Sequence, residues 1–196
     1  MSKDEVSKEL DMSYSELCQY LVEKYGPAQY DYFVNEKCKT KNTKVPRTSE
    51  GLECHHMDED KAIMLSNPMY AQRNPFEYQK ADRLVYCNAL EHLILHIKID
   101  IEPRNIKANQ FERPGTGGAL NFIIPKLNQL YSGFEFKREY EKNIYGSLAN
   151  SFDEYIMILN YWIQMGDWHI GLSPIKLCYD FDGVVVERVY HALFDM

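Results

Sequence analysis

From Ser13 onward, Leu17, Leu21 and Tyr25 recur at helical spacing, with Ser13 or Ser15 placed to cap and Glu16 in the first turn. Gly26-Pro27 ends that helix. Residues 1–12 read as a frayed or helical tail, and residues 50–57 (EGLECHHM) as a short strand. The stretch 58–80, broken by Pro68 and Pro75, reads as a long excursion with a helical turn at 60–66. Leu84-Val85-Tyr86-Cys87 is a second short strand. Asn88 then caps a helix running to about Ile101, with Glu91 placed to complete a capping box and Pro103 as the stop. Leu90, Leu93, Ile94, Ile97 and Ile101 form one apolar stripe on that helix. Pro114-Gly115-Thr116-Gly117-Gly118 reads as a flexible break. Beyond it the pattern is mainly helical, clearest in FIIPKLNQLYSGFEF and SFDEYIMILNYWIQ. Residues near the end carry a strand or hairpin and a last helix.

Composition narrows the class. The chain has 196 residues, 45% hydrophobic and 26% charged, as expected of a globular domain with a true core. No apolar stretch approaches the ~20 residues needed to span a bilayer. The polar, charged N-terminus does not look like a signal peptide, so a cytoplasmic location is expected. Its 5 Cys lack CxxC spacing, which fits scattered reduced thiols better than a disulfide framework. The net charge of −7 argues against a surface that grips nucleic acid throughout. One segment runs the other way: Lys37, Lys39, Lys41, Lys44 and Arg47 lie close together with no acid among them, just before the histidine doublet. Lys39, Lys41, Lys44 and Arg47 are the expected nucleic-acid-binding residues.

Four of the 6 His fall in two clusters. His92 and His96 are spaced i, i+4 on the helix, which stacks two imidazoles close enough to share a metal ion. Adjacent residues of a strand point to opposite faces, so His55 and His56 can serve one site only where the strand ends. Asp58, Glu59 and Asp60 follow at once and suit such an ending. Two other readings use the same residues. Cys54, His55, His92 and His96 would close a structural zinc site, and a non-metal reading leaves the histidines as ordinary surface or core residues.

The order strand, His-His, strand, helix with His-x3-His resembles the HNH, or ββα-metal, nuclease family. Glu53-Cys54-His55-His56-Met57, Asp82-Arg83-Leu84-Val85 and Glu91-His92-x3-His96 carry the resemblance. It implies a small ββα-metal (HNH-like) module at 45–102. With the helical N-terminal segment and basic connection that the pattern gives at 1–44, the linker at 103–118 and the mainly helical region at 119–196, the expected fold class is α+β. It also implies a metal-dependent endonuclease acting on DNA, from a phage or other mobile element. His55, His92 and His96 become the ligands of one divalent ion, and His56 the general base. Three imidazoles favour Zn²⁺, Ni²⁺ or Mn²⁺ over Mg²⁺. Where the family often carries an orienting Asn, this chain has Arg83. Asp82 is then expected to orient His56, and Arg83 to contact a phosphate. The alternative function is an HNH-like binding or inhibitor protein, its acidic C-terminal region holding a protein partner such as a nucleic-acid enzyme.

Three further motifs carry less. Tyr179-Asp180-Phe181-Asp182-Gly183 looks like a phosphatase DxDG motif, but too little chain follows for that fold, and Asp182-Gly183 reads as a turn. Gly115-Thr116-Gly117-Gly118 lacks the Lys-Ser/Thr of a phosphate loop. Trp162, Trp168, Tyr155 and Tyr161 read as core or partner surface.

Overall fold

In the computed structural model, which describes residues 1–102, 115–166, 168 and 173–195, capping sets where the first two helices begin. Ser2 and Glu5 form a reciprocal capping box at the head of α1 (Lys3–Asp11), and Ser13 and Glu16 form another at the head of α2 (Tyr14–Tyr25). Gly26 ends α2 with φ +80°, a conformation open to glycine at no steric cost. The basic segment that follows folds back on itself, pairing Phe33 with Lys41.

Two short strands come next. β1 (Glu53–His56) pairs antiparallel with β2 (Leu84–Cys87), and His55 stands opposite Val85 and His56 opposite Leu84. Between them, the helical turn expected at 60–66 is displaced. A tight turn follows Asp58, and the first true helix of the excursion is α3 (Pro68–Ala71). Its position follows from Pro68, which suits a helical first turn, and from Asn67, whose side chain caps Met69 N. A 3-10 turn at Phe76–Gln79 and another at Ala81–Arg83 lead into β2.

Asn88 and Glu91 form the expected capping box for α4 (Ala89–Ile101). The expected stripe is buried at Leu90, Leu93, Ile94 and Ile97, but Leu95, Ile99, His96 and Lys98 are buried too. Helix α4 is therefore enclosed on nearly all sides, as befits a central helix. Its cover comes from α1, α2, the strands and the C-terminal half. That half comprises α5 (Thr116–Gly118), a π-turn at Ala119–Ile123, α6 (Ile124–Tyr131), α7 (Glu139–Gly146), α8 (Phe152–Met165) and α9 (Glu187–Phe194). The hairpin expected near the end is a Tyr179–Val185 bridge around Asp182-Gly183, with Gly183 at φ +72°.

The chain is thus mixed and helix-rich with one small antiparallel sheet, within the α+β class. A single hydrophobic cluster joins Leu17 and Leu21 of α2, Val85 of β2, Leu93 and Ile97 of α4, Leu127 of α6 and Trp162 of α8. The segments 1–44, 45–102 and 119–196 therefore share one core. Trp162 and Tyr155 are fully buried in it. The linker expected at 103–118 falls mostly outside the described residues; its last four positions are described and belong to the site below. Among the described residues, no helix is long and apolar enough to cross a membrane.

Candidate metal centre

The antiparallel pairing and the short crossing into α4 bring β1 against the first turns of that helix. One ligand atom each of His55, His92 and His96 lies within 4.8 Å of the others. The ring centroids are 5.2 Å apart for His55–His92 and for His55–His96, and 4.9 Å apart for His92–His96. His55 and His96 are buried, and the His92 side chain is 16% exposed.

Each ring is held by a partner on its outer nitrogen. His92 Nδ1–H donates to Glu53 Oε2 at 2.8 Å, and His96 Nδ1–H donates to the Gly115 carbonyl at 3.1 Å. Both assignments leave a lone pair on Nε2. His55 Nε2 lies 2.8 Å from the Tyr14 hydroxyl, which in turn reaches the Met57 carbonyl at 3.1 Å. Tyr14 has one proton to donate; given to Met57 O, it leaves the hydroxyl oxygen to accept from His55 Nε2–H. His55 Nδ1 then carries a lone pair, is buried and has no hydrogen-bond partner among the described residues. Outer-nitrogen partners of this kind fix ring orientation and tautomer in metal sites.

Burial holds the His55 ring well below its usual pKa, with the neighbouring His92 and His96 adding to the effect; burial likewise pushes His96 down to about 3. Both rings are therefore neutral near pH 7, the form that binds a metal. Burial also opposes charge on His92, but the Glu53 carboxylate outweighs it and the net shift is upward.

Glu59, to which sequence reasoning gave no role, stands beside two of the three rings. Its Oε2 lies 3.7 Å from His55 Nδ1 and 3.5 Å from His96 Nε2. Two ligands of one Zn²⁺ at tetrahedral geometry stand roughly 3.3–3.6 Å apart, so Glu59 sits near ligand spacing from two of the three lone pairs. Burial raises its carboxyl to about 7, with His92 opposing. Its only sequence signal was membership of the Asp58-Glu59-Asp60 run.

Comparison of the chain with known families, curated proteins and solved structures finds no match. The site therefore rests on its own geometry.

His56 occupies the other face of β1, as strand alternation requires, with its ring 4.4 Å from that of Tyr32. Its Nε2 lies 2.9 Å from Gln79 Oε1, while Gln79 Nε2 donates to the Leu65 carbonyl at 3.2 Å. The second bond orients the amide, so Gln79 Oε1 accepts from His56 Nε2–H and His56 Nδ1 keeps its lone pair. That nitrogen lies 3.7 Å from Glu59 Oε1. Glu59, rising from the turn after β1, thus faces both members of the doublet. Burial brings His56 down to about 4, partly offset by Gln79, so the ring is neutral near pH 7.

The orienting contact expected from Asp82 comes instead from Gln79: His56 Nε2 is taken by Gln79, and Nδ1 has no hydrogen bond among the described residues. The 3-10 turn at Ala81–Arg83 leaves Asp82 exposed. Arg83 is engaged by the fold, although its side chain is 39% exposed. Its Nε and Nη2 hold the two oxygens of Asp58 at 2.7 Å each, and its carbonyl accepts from Met57 N. The Asp58 side chain is almost fully buried, so this bidentate pair braces the turn that carries Glu59. Cys54, the fourth ligand of the structural-zinc reading, packs beside Val45, Leu52 and Tyr86 and lies outside the close histidine group.

The Gly115–Gly118 run, read from sequence as flexible, is built against His96. Thr116 Oγ1 donates to Asp100 Oδ1, and Gly115 takes φ +89° while accepting from His96. A Cβ on Gly118 would lie 2.2 Å from His96 Cε1, and one on Gly115 would lie 2.4 Å from the His96 carbonyl oxygen. Both glycines are required by close approach to α4.

Of the basic residues, Lys41 reaches the site. With Glu59, His92 and His96 it lines a cavity of about 590 Å³. Lys39 and Lys44 are exposed, the latter over the Tyr30 ring. Arg47 is engaged by Glu50 and the Tyr25 carbonyl, so it serves the fold here.

Proposed function

We propose that this chain is an HNH-type, metal-dependent phosphodiesterase acting on DNA. The observation that supports it most is the convergence of His55, His92 and His96 lone pairs, with each outer nitrogen held by its own partner. The strand–strand–helix order that frames them supports the reading as a ββα-metal module.

His55, His92 and His96 would hold one divalent ion, with Glu59 close to two of the three rings. Three nitrogens and one carboxylate oxygen suit Zn²⁺, Ni²⁺ or Mn²⁺ better than Mg²⁺. When bound, the ion supplies Lewis-acid stabilisation of charge on the phosphate and the departing oxygen. His56 is the general base. Gln79 keeps its lone pair on Nδ1, free to accept a proton. Water attacking the phosphorus gives its proton to His56 Nδ1 as the bond to the leaving 3′ oxygen breaks, and that oxygen takes a proton from solvent. The imidazolium so formed lies between the Gln79 carbonyl oxygen and the Glu59 carboxylate, which both favour its charge. Arg83 and Asp58 keep Glu59 in place.

The test is cleavage of circular DNA, single-stranded and supercoiled duplex, with Zn²⁺, Ni²⁺, Mn²⁺ or Mg²⁺. Wild-type protein cleaves with at least one ion, and His56→Ala loses that cleavage while retaining the metal. Cleavage equal in wild type and His56→Ala refutes His56 as base. No cleavage with any ion refutes the enzyme and leaves the binding-protein reading.

A further inference from the structure

We infer that the cavity beside the metal centre takes a single, unpaired nucleic-acid strand and excludes a duplex. The inference rests on the phosphodiesterase reading for its chemistry and adds the class of substrate.

Depth is the first argument. His55 and His96 are only 1% and 5% exposed. The approach to His92 and His96 passes along the 590 Å³ cavity, a size typical of pockets that enclose one small ligand. A phosphate in a B-form duplex is fixed on a wide cylinder and cannot descend into such a recess. Enzymes with recessed sites act on single strands or extrude a nucleotide.

The lining is the second argument. Lys41 lines the cavity, its ammonium 5.5 Å from the Tyr32 ring centroid, and supplies a positive charge suited to a phosphate. Asn67 and Asn121 offer amides. Ile63 and Met64 make an apolar wall, and Phe122 presents a ring that is 54% exposed. The π-turn at Ala119–Ile123 accounts for Phe122: it buries Ala119 and Ile123 while leaving Asn121 and Phe122 outward at the cavity. A π-turn inside a helix is a feature concentrated at functional sites. A cation and an open aromatic face lining one cavity are the elements by which proteins hold unpaired strands, phosphate on the cation and base on the ring.

Charge is the third. Duplex binding draws on many simultaneous phosphate contacts, whereas this chain carries a net charge of −7 and Arg47 is engaged internally. One well-placed Lys suits one or two phosphates of a flexible strand.

The experiment measures binding by fluorescence anisotropy, using Zn²⁺-loaded His56→Ala protein and short labelled oligonucleotides: single-stranded DNA, single-stranded RNA of the same sequence, and the DNA duplex. One or both single strands bind at least about ten-fold more tightly than the duplex, and the two arms identify the preferred sugar. Phe122→Ala weakens single-strand binding by about 5- to 150-fold, the range of one lost base–aromatic stack, and Phe122→Trp retains it. Lys41→Ala weakens binding and flattens its salt dependence. Duplex binding as tight as single-strand binding, or no binding of any oligonucleotide, overturns the inference, as does indifference to both Phe122→Ala and Lys41→Ala. Because binding is read on a base-less variant, it is separable from cleavage. Single-strand binding without wild-type cleavage keeps this inference and sinks the hydrolase reading; equal cleavage and binding of duplex does the reverse.

Discussion

Two buried polar clusters meet on adjacent residues of α4, and they are built on opposite plans. Glu91 faces α1 and α2, where Lys24 Nζ lies 2.7 Å from it and 3.6 Å from both Glu9 and Glu5, with Tyr25 donating to the same Glu91 oxygen. That cluster contains its own cation. His92 faces β1, where the groups that converge are acceptors: three imidazole lone pairs and the Glu59 carboxylate. Both clusters carry the desolvation cost of burial. The first meets it with an ammonium from the chain, and so serves the fold. The second has the composition of a coordination sphere. The contrast shows that buried titratable groups mark function only when their partners are considered.

Mutating the two clusters separately is the sharpest way to break the contrast. His92→Ala or His96→Ala removes the metal and lowers cleavage by about 100-fold or more, as read by metal analysis and initial rates. Retained metal in both variants would merge the clusters into one structural class. Lys24→Ala leaves Glu91 and Glu9 buried without their cation and lowers unfolding free energy by about 3 kcal/mol, while metal content per folded chain stays at the wild-type level. Denaturant unfolding and metal analysis of the same sample measure both halves.

Gly118→Ala tests whether the glycine run belongs to the centre or to a linker. Its Cβ meets the His96 ring at 2.2 Å, so it costs about 1–3 kcal/mol as an overpacked site and weakens metal affinity. Gly146→Ala is the control: its φ is not positive and a Cβ there meets nothing within 4 Å, so metal affinity is unchanged. A further effect concerns pH. Burial, with Glu91 and Glu5 adding to it and Lys24 opposing, raises Glu9 from 4.5 to about 8. The folded chain therefore keeps a proton that the unfolded chain has lost between those values. The Glu9 contribution is fully favourable below about pH 4.5 and is lost as pH rises to about 8. Glu9→Gln flattens that part of the stability–pH profile; an unchanged slope would show that Glu9 is ionised in the fold.

Much of this architecture was legible because it is local. The expected capping box of Asn88 with Glu91 lies within a single turn, as does the cap at Ser13, which the sequence offered beside Ser15. The strands at Glu53–His56 and Leu84–Cys87 and the His92/His96 spacing are likewise short-range patterns. What escaped depends on where the chain returns. Gln79 reaches His56 because the excursion between the strands folds back 23 residues later, and nothing in its own neighbourhood says so. Glu59 is one of three consecutive acids, and only the turn braced by Asp58 and Arg83 selects it. Gly115 and Gly118 have the composition of a linker, and their purpose emerges only with the His96 ring packed against them. Helix α4 looked amphipathic because its second cover comes from helices far along the chain.

The most direct test of the central claim is equilibrium metal titration of the purified chain and of the His55→Ala/His92→Ala/His96→Ala variant with Zn²⁺, Ni²⁺ and Mn²⁺, read by calorimetry and by thermal melting. About one ion binds tightly per wild-type chain and raises the melting temperature on loading; the variant shows neither effect. Equal uptake by both proteins, or none by the wild type, would contradict that claim.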